Sequence, residues 1–372
     1  ESNIIILFVI TMALNFSHKA IILLVATAGL VVFLGGRAFT ESHIPNLEDM
    51  QPEPAFKAWK LQYSKTYNST EEESRRFAIF QKSLALVREN NRDPSKTYKL
   101  KLNHLADLSP EEFRQKYLMK RPFQPLSEDA ERNESVEMID MMTDVPASIN
   151  WVQKGAVTMV KTKGSILTSE YLGAVDALES ASYINQKKIT ILSVAELADC
   201  VTAAYPEQIF AFTTANGIES DCIYPEMKGT CKASPDWVFY QPEGYKTVPT
   251  NDNDALKAAV AQQPVLVLID ALSPAFQLYS SGIMKDSDCT QHVTHAVLLV
   301  GYDQENGKDY WLIKNSWGTG WGEQGYARIE RVSGQQPGAC GISQRAIYPY
   351  GLKKKASSKY DGVCENKKSF LA

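Results

Sequence analysis

Ser169 stands at a place in the sequence where a side chain could act as a nucleophile. The stretch VKTKGSILTSEYLGAV, residues 160–175, is typical of a loop that enters a helix, and Ser169 lies in the first turn. Backbone N–H groups at a helix N-terminus stabilise negative charge and lower the pKa of a nucleophile placed there. A serine hydroxyl is not appreciably ionised near neutral pH, so Ser169 would need a base. The sequence therefore raises the question of whether Ser169 performs chemistry.

Composition and net charge limit the class of protein and the kinds of partner that are possible. The chain has 372 residues, of which 44% are hydrophobic and 22% charged, which is an ordinary globular composition and enough for two or three domains. The formal net charge of -4 offers no electrostatic footprint for nucleic acid. We therefore expect no nucleic-acid partner. A monomer is a separate expectation.

The first 38 residues have the anatomy of a signal peptide. Reading from Met12 gives a short polar segment, an apolar run and a candidate cleavage point after Ala38. The alternative interpretation is a single signal-anchor helix over residues 20–36. Either one predicts the secretory route, with the extracellular space, the vacuole or the lysosome as destination. After removal of a signal peptide we expect no association with a membrane.

The cysteines and the glycosylation sequons fit that route. An even number of cysteines on a secretory route indicates disulfides. The six cysteines are Cys200, Cys222, Cys231, Cys289, Cys340 and Cys364. They contain no C-x-x-C pair, so no zinc site is predicted, and no other metal or cofactor is expected. Asn68 (N-S-T) and Asn133 (N-E-S) are candidate glycosylation sites.

The N-terminal third of the chain predicts helices. Residues 54–117 read as helical, with Ser69 as a cap and apolar residues at three-to-four spacing from Phe77 to Val87. Residues 120–145 mix proline and acids without a steady period, which favours an extended connector and a domain boundary.

The rest of the chain changes from helical to strand-like patterns. Helices are predicted from Ser169 to about Ile184 and over residues 193–200. Strand-like apolar runs separated by glycine-rich turns occupy residues 264–270, 295–303, 309–317 and 325–332. The chain is therefore predicted to be an α+β protein.

Several motifs resemble those of papain-family cysteine proteases. HAVLLVGY, followed by DYWLIKNSWGTGWGEQGYARIER, resembles the second half of their protease domain, and VPASINWVQKGAVTMVK resembles its start. Upstream, two motifs are similar to those of the family's inhibitory propeptide. The matching residues are Glu72, Arg76, Phe80, Val87 and Asn91, then Lys101, Asn103, Leu105 and Asp107, with Ser83 where the family usually has Asn.

The resemblance implies the architecture. It covers about four-fifths of the chain, from residue 53 to 350. It predicts a papain-like two-domain fold with a helical and a β-barrel-like half, and a helical propeptide in the cleft between them. The expected division is a signal peptide region (1–38), an inhibitor-type propeptide (39–145), a papain-like domain (146–352) and a polar tail (353–372).

The resemblance also assigns the candidate site. It places His295 at the catalytic base, Asn315 at the amide that orients the base, and Trp317 at the ring that shields this pair. Ser169 stands where the family has its nucleophilic cysteine, and Lys163 stands where it has the glutamine of the oxyanion hole.

Three further departures from the family pattern accompany those at Ser169 and Lys163. Glu170 replaces the tryptophan that follows the nucleophile, and Ile166 replaces a cysteine of the family's active-site stretch. The G-C-N-G-G segment, which forms one wall of the substrate cleft and bears that cysteine's disulfide partner, is absent between Cys200 and Tyr205. Lys163 and Glu170 are interpreted as a surface ion pair across a disused cleft.

The resemblance implies how the cysteines pair. Cys200 with Cys231, and Cys289 with Cys340, match two disulfides of the family. Cys222 and Cys364 are left over, and either pair with each other or remain free.

These departures leave three functional hypotheses. The first is an inactive homologue, a pseudoprotease that acts by binding, defence or storage, with a peptide or protein ligand in the cleft. The second is a weak hydrolase that uses Ser169 and His295. The third is a regulator whose propeptide-like region inhibits active relatives.

Overall fold

The computed structural model describes residues 46–120, 145–163, 167–202 and 205–355. The described residues from Leu47 onward belong to one compact unit. Within these ranges no helix is both long enough and apolar enough to span a membrane. The expectations for the signal region, Asn133, Cys364 and the end of the tail lie outside the described residues.

The N-terminal segment, residues 46–120, is mainly helical as predicted. A 3-10 helix Leu47–Asp49 precedes α1 (Pro52–Gln62), α2 (Thr70–Arg92), β1 (Tyr98–Leu100) and α3 (Pro110–Tyr117). Ser69 caps α2, because its Oγ accepts a hydrogen bond from the N–H of Glu72 at 3.2 Å. The sequence prediction missed β1, since this three-residue strand forms by pairing with residues far along the chain.

Three helices follow the connector. They are α4 (Ser169–Gln186), α5 (Val194–Cys200) and α6 (Pro206–Asn216). Every residue of α4 from Ser169 to Ser182 is buried, so this helix lies at the centre of the helical half. It ends at Gln186, and the capping residue Lys187 adopts a left-handed conformation with φ of 56°. Both helices predicted in this region are confirmed.

The second half is built on antiparallel strands. The strands are β2 (Ile149–Asn150), β3 (Ile218–Glu219), β4 (Val238–Gln241), β5 (Gly244–Thr247), β6 (Val265–Ile269), β7 (Tyr279–Met284), β8 (His295–Glu305), β9 (Lys308–Lys314), β10 (Tyr326–Glu330), β11 (Ala346–Tyr350) and β12 (Lys354–Lys355). Helices α7 (Asn253–Gln262) and α8 (Pro274–Gln277) lie between them, as do 3-10 helices Asp286–Asp288 and Ala339–Gly341. The main sheet has the order β1-β7-β10-β9-β8-β6-β11-β5, with β2 beside β8, and β3, β4 and β12 form a second sheet. Among the strand pairs of the described ranges, β7 with β10 is the one parallel pair. The four predicted strands are present, and the α+β prediction is confirmed.

A glycine allows α4 to approach the main sheet closely. A Cβ at Gly173 would lie 2.6 Å from Leu266 Cδ1 and 3.6 Å from Ala296 Cβ. Any side chain at position 173 would therefore push α4 away from β6 and β8. Because Ser169 begins α4 and His295 begins β8, this approach brings the two candidate residues together.

Buried Glu196 makes the stability of α5 sensitive to pH. Its side chain is 1% exposed, and Oε2 accepts a hydrogen bond from the N–H of Glu219 at 2.7 Å. Burial, together with the nearby Glu219 carboxylate, raises the pKa of Glu196 to about 8. Above the ordinary carboxyl range the unfolded chain loses the proton of the Glu196 carboxyl, whereas the folded protein keeps it. The free energy of unfolding therefore decreases as pH rises from that range towards 8.

We expect Glu196→Gln to raise the free energy of unfolding by about 2 kcal/mol at pH 8 and to change it much less at pH 5. The glutamine oxygen can still accept from Glu219, and only the buried charge is removed. Urea denaturation at both pH values tests this, with exposed Glu226→Gln as the matched control. An effect of equal size at both pH values would contradict the assignment.

Candidate active site

His295 and Asn315 form a buried pair beneath Trp317. His295 Nε2 donates to Asn315 Oδ1 at 2.8 Å, and the same oxygen accepts from the N–H of Ser316 at 2.7 Å. The Trp317 ring centroid lies 4.8 Å from that of His295. His295 is 0% exposed, and Asn315 and Trp317 are each 1% exposed. The three residues are thus in contact, as the resemblance implies, and their catalytic roles stay predictions.

The imidazole of His295 is neutral. Burial lowers the pKa of His295 to about 3, and the nearby Lys163 ammonium acts in the same direction, against the hydrogen bond to Asn315 and the backbone of Tyr117. Nδ1 makes no hydrogen bond to a side chain of the described residues, and the backbone of Tyr117 is the other group that acts on the ring.

The Ser169 hydroxyl points to a different partner. Its Oγ donates to Glu170 Oε2 at 2.8 Å and accepts from the N–H of Ala296 at 3.2 Å. Ser169 is 0% exposed. Both sides of the hydroxyl are therefore occupied, and neither contact is with His295.

Glu170 and Lys163 are not the surface ion pair that the sequence suggested. Glu170 is only 5% exposed, and burial raises the pKa of its carboxyl. No ion pair with an N···O distance of 4.0 Å or less joins the two side chains. Burial lowers the pKa of Lys163 to about 8. The prediction failed because it assumed an open cleft, whereas the N-terminal segment covers this region.

The end of the N-terminal segment lies over the site. The rings of Phe113 and Tyr117 meet the Trp317 ring edge-on, with centroids 5.2 and 5.8 Å away. The N–H of Met119 donates to the carbonyl of Thr294, the residue before His295, at 2.7 Å. Residues 113–119 therefore close the cleft above His295.

Sequence reasoning missed a cluster of four charges behind the site, of which three are buried and Lys161 is 12% exposed. Lys161 Nζ lies 2.5 Å from Asp176 Oδ1 and 2.6 Å from Glu179 Oε2, and Lys314 Nζ lies 2.9 Å from Asp176 Oδ1. Lys161 precedes Lys163, Lys314 precedes Asn315, and both acids are on α4. The cluster thus joins the three segments that form the site. Its signal in the sequence was a pair of acids three residues apart in the mostly apolar middle of α4.

A tyrosine contacts the shortened connection between α5 and α6. The connection spans only residues 201–205, of which 201, 202 and 205 are described. Tyr171 Oη donates to the carbonyl of Val201 at 2.6 Å, and Tyr171 is 8% exposed. Tyr171 therefore fastens the start of this connection to the first turn of α4.

Both disulfides implied by the resemblance are present. Cys200 bonds to Cys231, and Cys289 bonds to Cys340. Cys222 is also disulfide-bonded. Its pairing with Cys364 stays a prediction, because Cys364 lies outside the described residues.

Comparison with known proteins decides the family. The profile described as "Papain family cysteine protease" matches residues 145–350, more than half of the chain. The chain belongs to the papain family of cysteine proteases. The profile described as "Cathepsin propeptide inhibitor domain (I29)" matches residues 56–113 of this papain-family chain. The N-terminal segment therefore contains the family's propeptide domain.

Known relatives match this chain over both the propeptide domain and the protease domain. The KDEL-tailed cysteine endopeptidase CEP2 of Arabidopsis thaliana is 36% identical over 82% of this chain and 87% of its own length. Chymopapain of Carica papaya is 35% identical over 79% of this chain and 86% of its own length. Among solved structures, the recombinant stem bromelain precursor matches with a TM-score of 0.71 and 32% identity, covering 82% of this chain and 99% of that one. These matches confirm the papain-like fold with a propeptide.

The residues that resemble the propeptide motifs hold this domain together. Arg76 forms ion pairs with Glu72 and Glu112 at 2.6 and 2.7 Å. The Asn91 side chain pairs with the backbone of Leu100 in β1, with both hydrogen bonds at 2.9 Å. The motifs therefore fix how α2, α3 and β1 pack.

Proposed function

We propose that this papain-family homologue does not hydrolyse peptides and acts by binding, in defence or in storage. One observation carries the proposal: the Ser169 hydroxyl donates to Glu170 at 2.8 Å and accepts from Ala296, while His295 is hydrogen-bonded to Asn315. A nucleophile and its base must share a hydrogen bond for the proton to move between them. Ser169 and His295 do not share one.

The electrostatics of the site support inactivity. A papain-type site uses a thiolate beside an imidazolium, and a cysteine paired in this way has a pKa of roughly 3–4. Here the nucleophile position bears a neutral hydroxyl, the imidazole of His295 is also neutral, and Lys163 stands in place of the oxyanion amide. Loss of one oxyanion donor costs about 100- to 1,000-fold in rate. The change of nucleophile adds to that loss.

The missing cleft wall supports the same conclusion. An extended peptide substrate needs backbone partners along the cleft. The connection of residues 201–205 lacks the family's G-C-N-G-G segment, and Tyr171 ties it to α4. We infer that substrate peptides lose part of their binding surface.

A second candidate function, a weak hydrolase, is favoured by one contact. The carboxylate of Glu170 lies within hydrogen-bond distance of the Ser169 hydroxyl and could accept its proton. The base in such a site would therefore be Glu170 and not His295. A regulatory role of the propeptide domain in trans stays a prediction.

We propose the secretory pathway as the route, with the extracellular space, vacuole or lysosome as destination. The disulfides Cys200–Cys231 and Cys289–Cys340 support an oxidising compartment. We expect a monomer that is glycosylated at Asn68, which is exposed just before α2.

Labelling with a fluorophosphonate tests the proposed function. We expect mass spectrometry of the purified full chain to show no adduct on Ser169, and a fluorogenic peptide to remain uncut. The variant Phe113→Ala/Tyr117→Ala removes the two rings over Trp317 and shows whether the cover alone accounts for a negative result. Labelling of Ser169 with turnover in either protein would establish the hydrolase instead.

A further inference from the structure

A groove between the first two helices lies outside the candidate active site. It has a volume of about 290 Å³, and its lining comes from α1 and from the first half of α2. The residues from α2 are three or four positions apart, so they share one face of that helix. The lining residues are Phe56, Thr70, Glu73, Ser74 and Phe77. Positions 70–77 rise by about 10 Å along a helix, so the groove is an elongated space beside α2.

The floor of the groove is aromatic. The ring centroids of Phe56 and Phe77 lie 5.2 Å apart at an interplanar angle of 44°, and the Tyr67 ring stacks on Phe56 at 6.2 Å. Phe56 is buried, whereas Phe77 is only half-buried. Ligand sites of this kind combine aromatic side chains with a few polar groups that fix the ligand's orientation. The floor therefore suits a ligand with one apolar face.

The rim of the groove is polar. Thr70 and Ser74 are exposed and bear hydroxyls, and Ser74 Oγ donates to the carbonyl of Thr70 at 2.8 Å while keeping lone pairs that can accept. Glu73 forms an ion pair with Lys60, and the Lys60 ammonium lies 5.4 Å from the centroid of the Phe56 ring. The acid of the groove is thus paired. An aromatic floor with hydroxyls along its rim matches a sugar ring, which has a C–H face and a hydroxyl edge.

A glycosylation sequon ends at this groove. The triplet N-S-T begins at Asn68, which is exposed, and its third residue, Thr70, is one of the lining residues. The Ser69 hydroxyl caps α2, so Asn68 stands directly before the first turn of that helix. On its other side, Tyr67 stacks on the floor of the groove. The acceptor amide is therefore held at one end of an aromatic groove.

We propose that this groove is the docking site of an N-linked glycan on Asn68, whose first sugars lie over Phe77 and against the polar rim. In the transfer, the amide nitrogen of Asn68 bonds to the first sugar of a lipid-linked oligosaccharide, the lipid diphosphate leaves, and the amide gives up one proton. The inference rests on the secretory route put forward with the proposed function, and not on the inactivity of Ser169.

Tethering explains why such a contact forms. A sugar attached two residues from the groove wall is present at a high effective concentration, so a weak contact suffices for docking. The docked sugars contact both α1 and α2. They therefore stabilise the packing of these two helices against each other.

Trimming the glycan tests the docking. The full chain is secreted from yeast, mass spectrometry establishes whether Asn68 is glycosylated, and an endoglycosidase then shortens the glycan to its first sugar. We expect Asn68→Gln to lower Tm by about 2 °C and trimming to lower it less, because the first sugar stays in the groove. Amide hydrogen exchange in α1 and in the first half of α2 should be about three- to tenfold faster in Asn68→Gln than in the wild type.

Two further variants separate docking from a general effect of glycosylation. Ser74→Leu fills the groove and keeps the sequon, so adding Asn68→Gln to Ser74→Leu should change neither Tm nor exchange. Asn133→Gln removes the second candidate sequon, which lies in the connector, and should leave exchange in α1 and α2 as it is in the wild type.

The outcomes that would overturn the inference are distinct from those that bear on the proposed function. An unmodified Asn68 in the secreted protein would overturn it. Equal exchange in the wild type and Asn68→Gln would leave the groove to a different occupant, such as a peptide side chain, and would also overturn it. The same holds if Asn68→Gln has its full effect in the presence of Ser74→Leu. Labelling of Ser169 with turnover would overturn the proposed function and leave the docked glycan standing.

Discussion

A cysteine placed at position 169 is expected to remain an ordinary thiol. We predict that the thiol pKa of Ser169→Cys is raised above the free value of about 8.5, against roughly 3–4 for a cysteine paired with an imidazolium. The reason is that burial lowers the pKa of His295 to about 3, so no imidazolium is present, and the Glu170 carboxylate lies 2.8 Å from the nucleophile's position. Activity on a fluorogenic peptide should stay undetectable, since the cleft wall is also absent.

Ultraviolet absorbance of the thiolate, measured against pH with the wild type as reference, tests this prediction without requiring a reagent to enter the site. The matched variant is Ser169→Cys/Glu170→Gln, in which the pKa should fall because the neighbouring carboxylate is gone while Lys163 remains. Adding Lys163→Gln to Ser169→Cys restores the family's oxyanion residue, and we still expect no peptidase activity. A thiol pKa below 6, or peptidase activity in the single variant, would show that the scaffold still activates its nucleophile.

The largest loss of stability is expected for Asp176→Ala. Asp176 is 3% exposed and lies between Lys161 and Lys314. Removing it leaves two buried ammonium groups with one remaining acid, Glu179, and breaking a buried pair in this way costs about 3–5 kcal/mol. Urea denaturation measures the change in the free energy of unfolding.

The control for that substitution removes both members of one pair. In Asp176→Leu/Lys314→Met the pair is replaced by apolar side chains, and Lys161 keeps its contact with Glu179. Most of the lost stability should return, because no buried charge is left unpaired. If the double variant is as unstable as Asp176→Ala, the cost comes from packing and not from charge.

Much of the fold was accessible from the sequence, because it depends on local patterns. Ser69 and the apolar residues of α2 are near neighbours in the chain, and so are the residues of the continuous apolar run in β8. Strand β1 was missed because its three residues become a strand only by pairing with β7. The loss of the cysteine, the oxyanion glutamine and the G-C-N-G-G segment could likewise be read directly, since a substitution or a deletion is a property of the sequence itself.

The contacts of the substituted residues could not be predicted in this way. The sequence determined that position 169 bears a hydroxyl, position 163 an ammonium and position 170 a carboxylate. Only the tertiary structure decided that the hydroxyl faces Glu170 and not His295, that Glu170 is buried, and that Lys163 lies over Tyr117. The physical reason is that hydrogen bonds and charges act over a few ångströms between segments that are distant in the chain. Their pairing is therefore set by how α4, β8 and the N-terminal segment pack together.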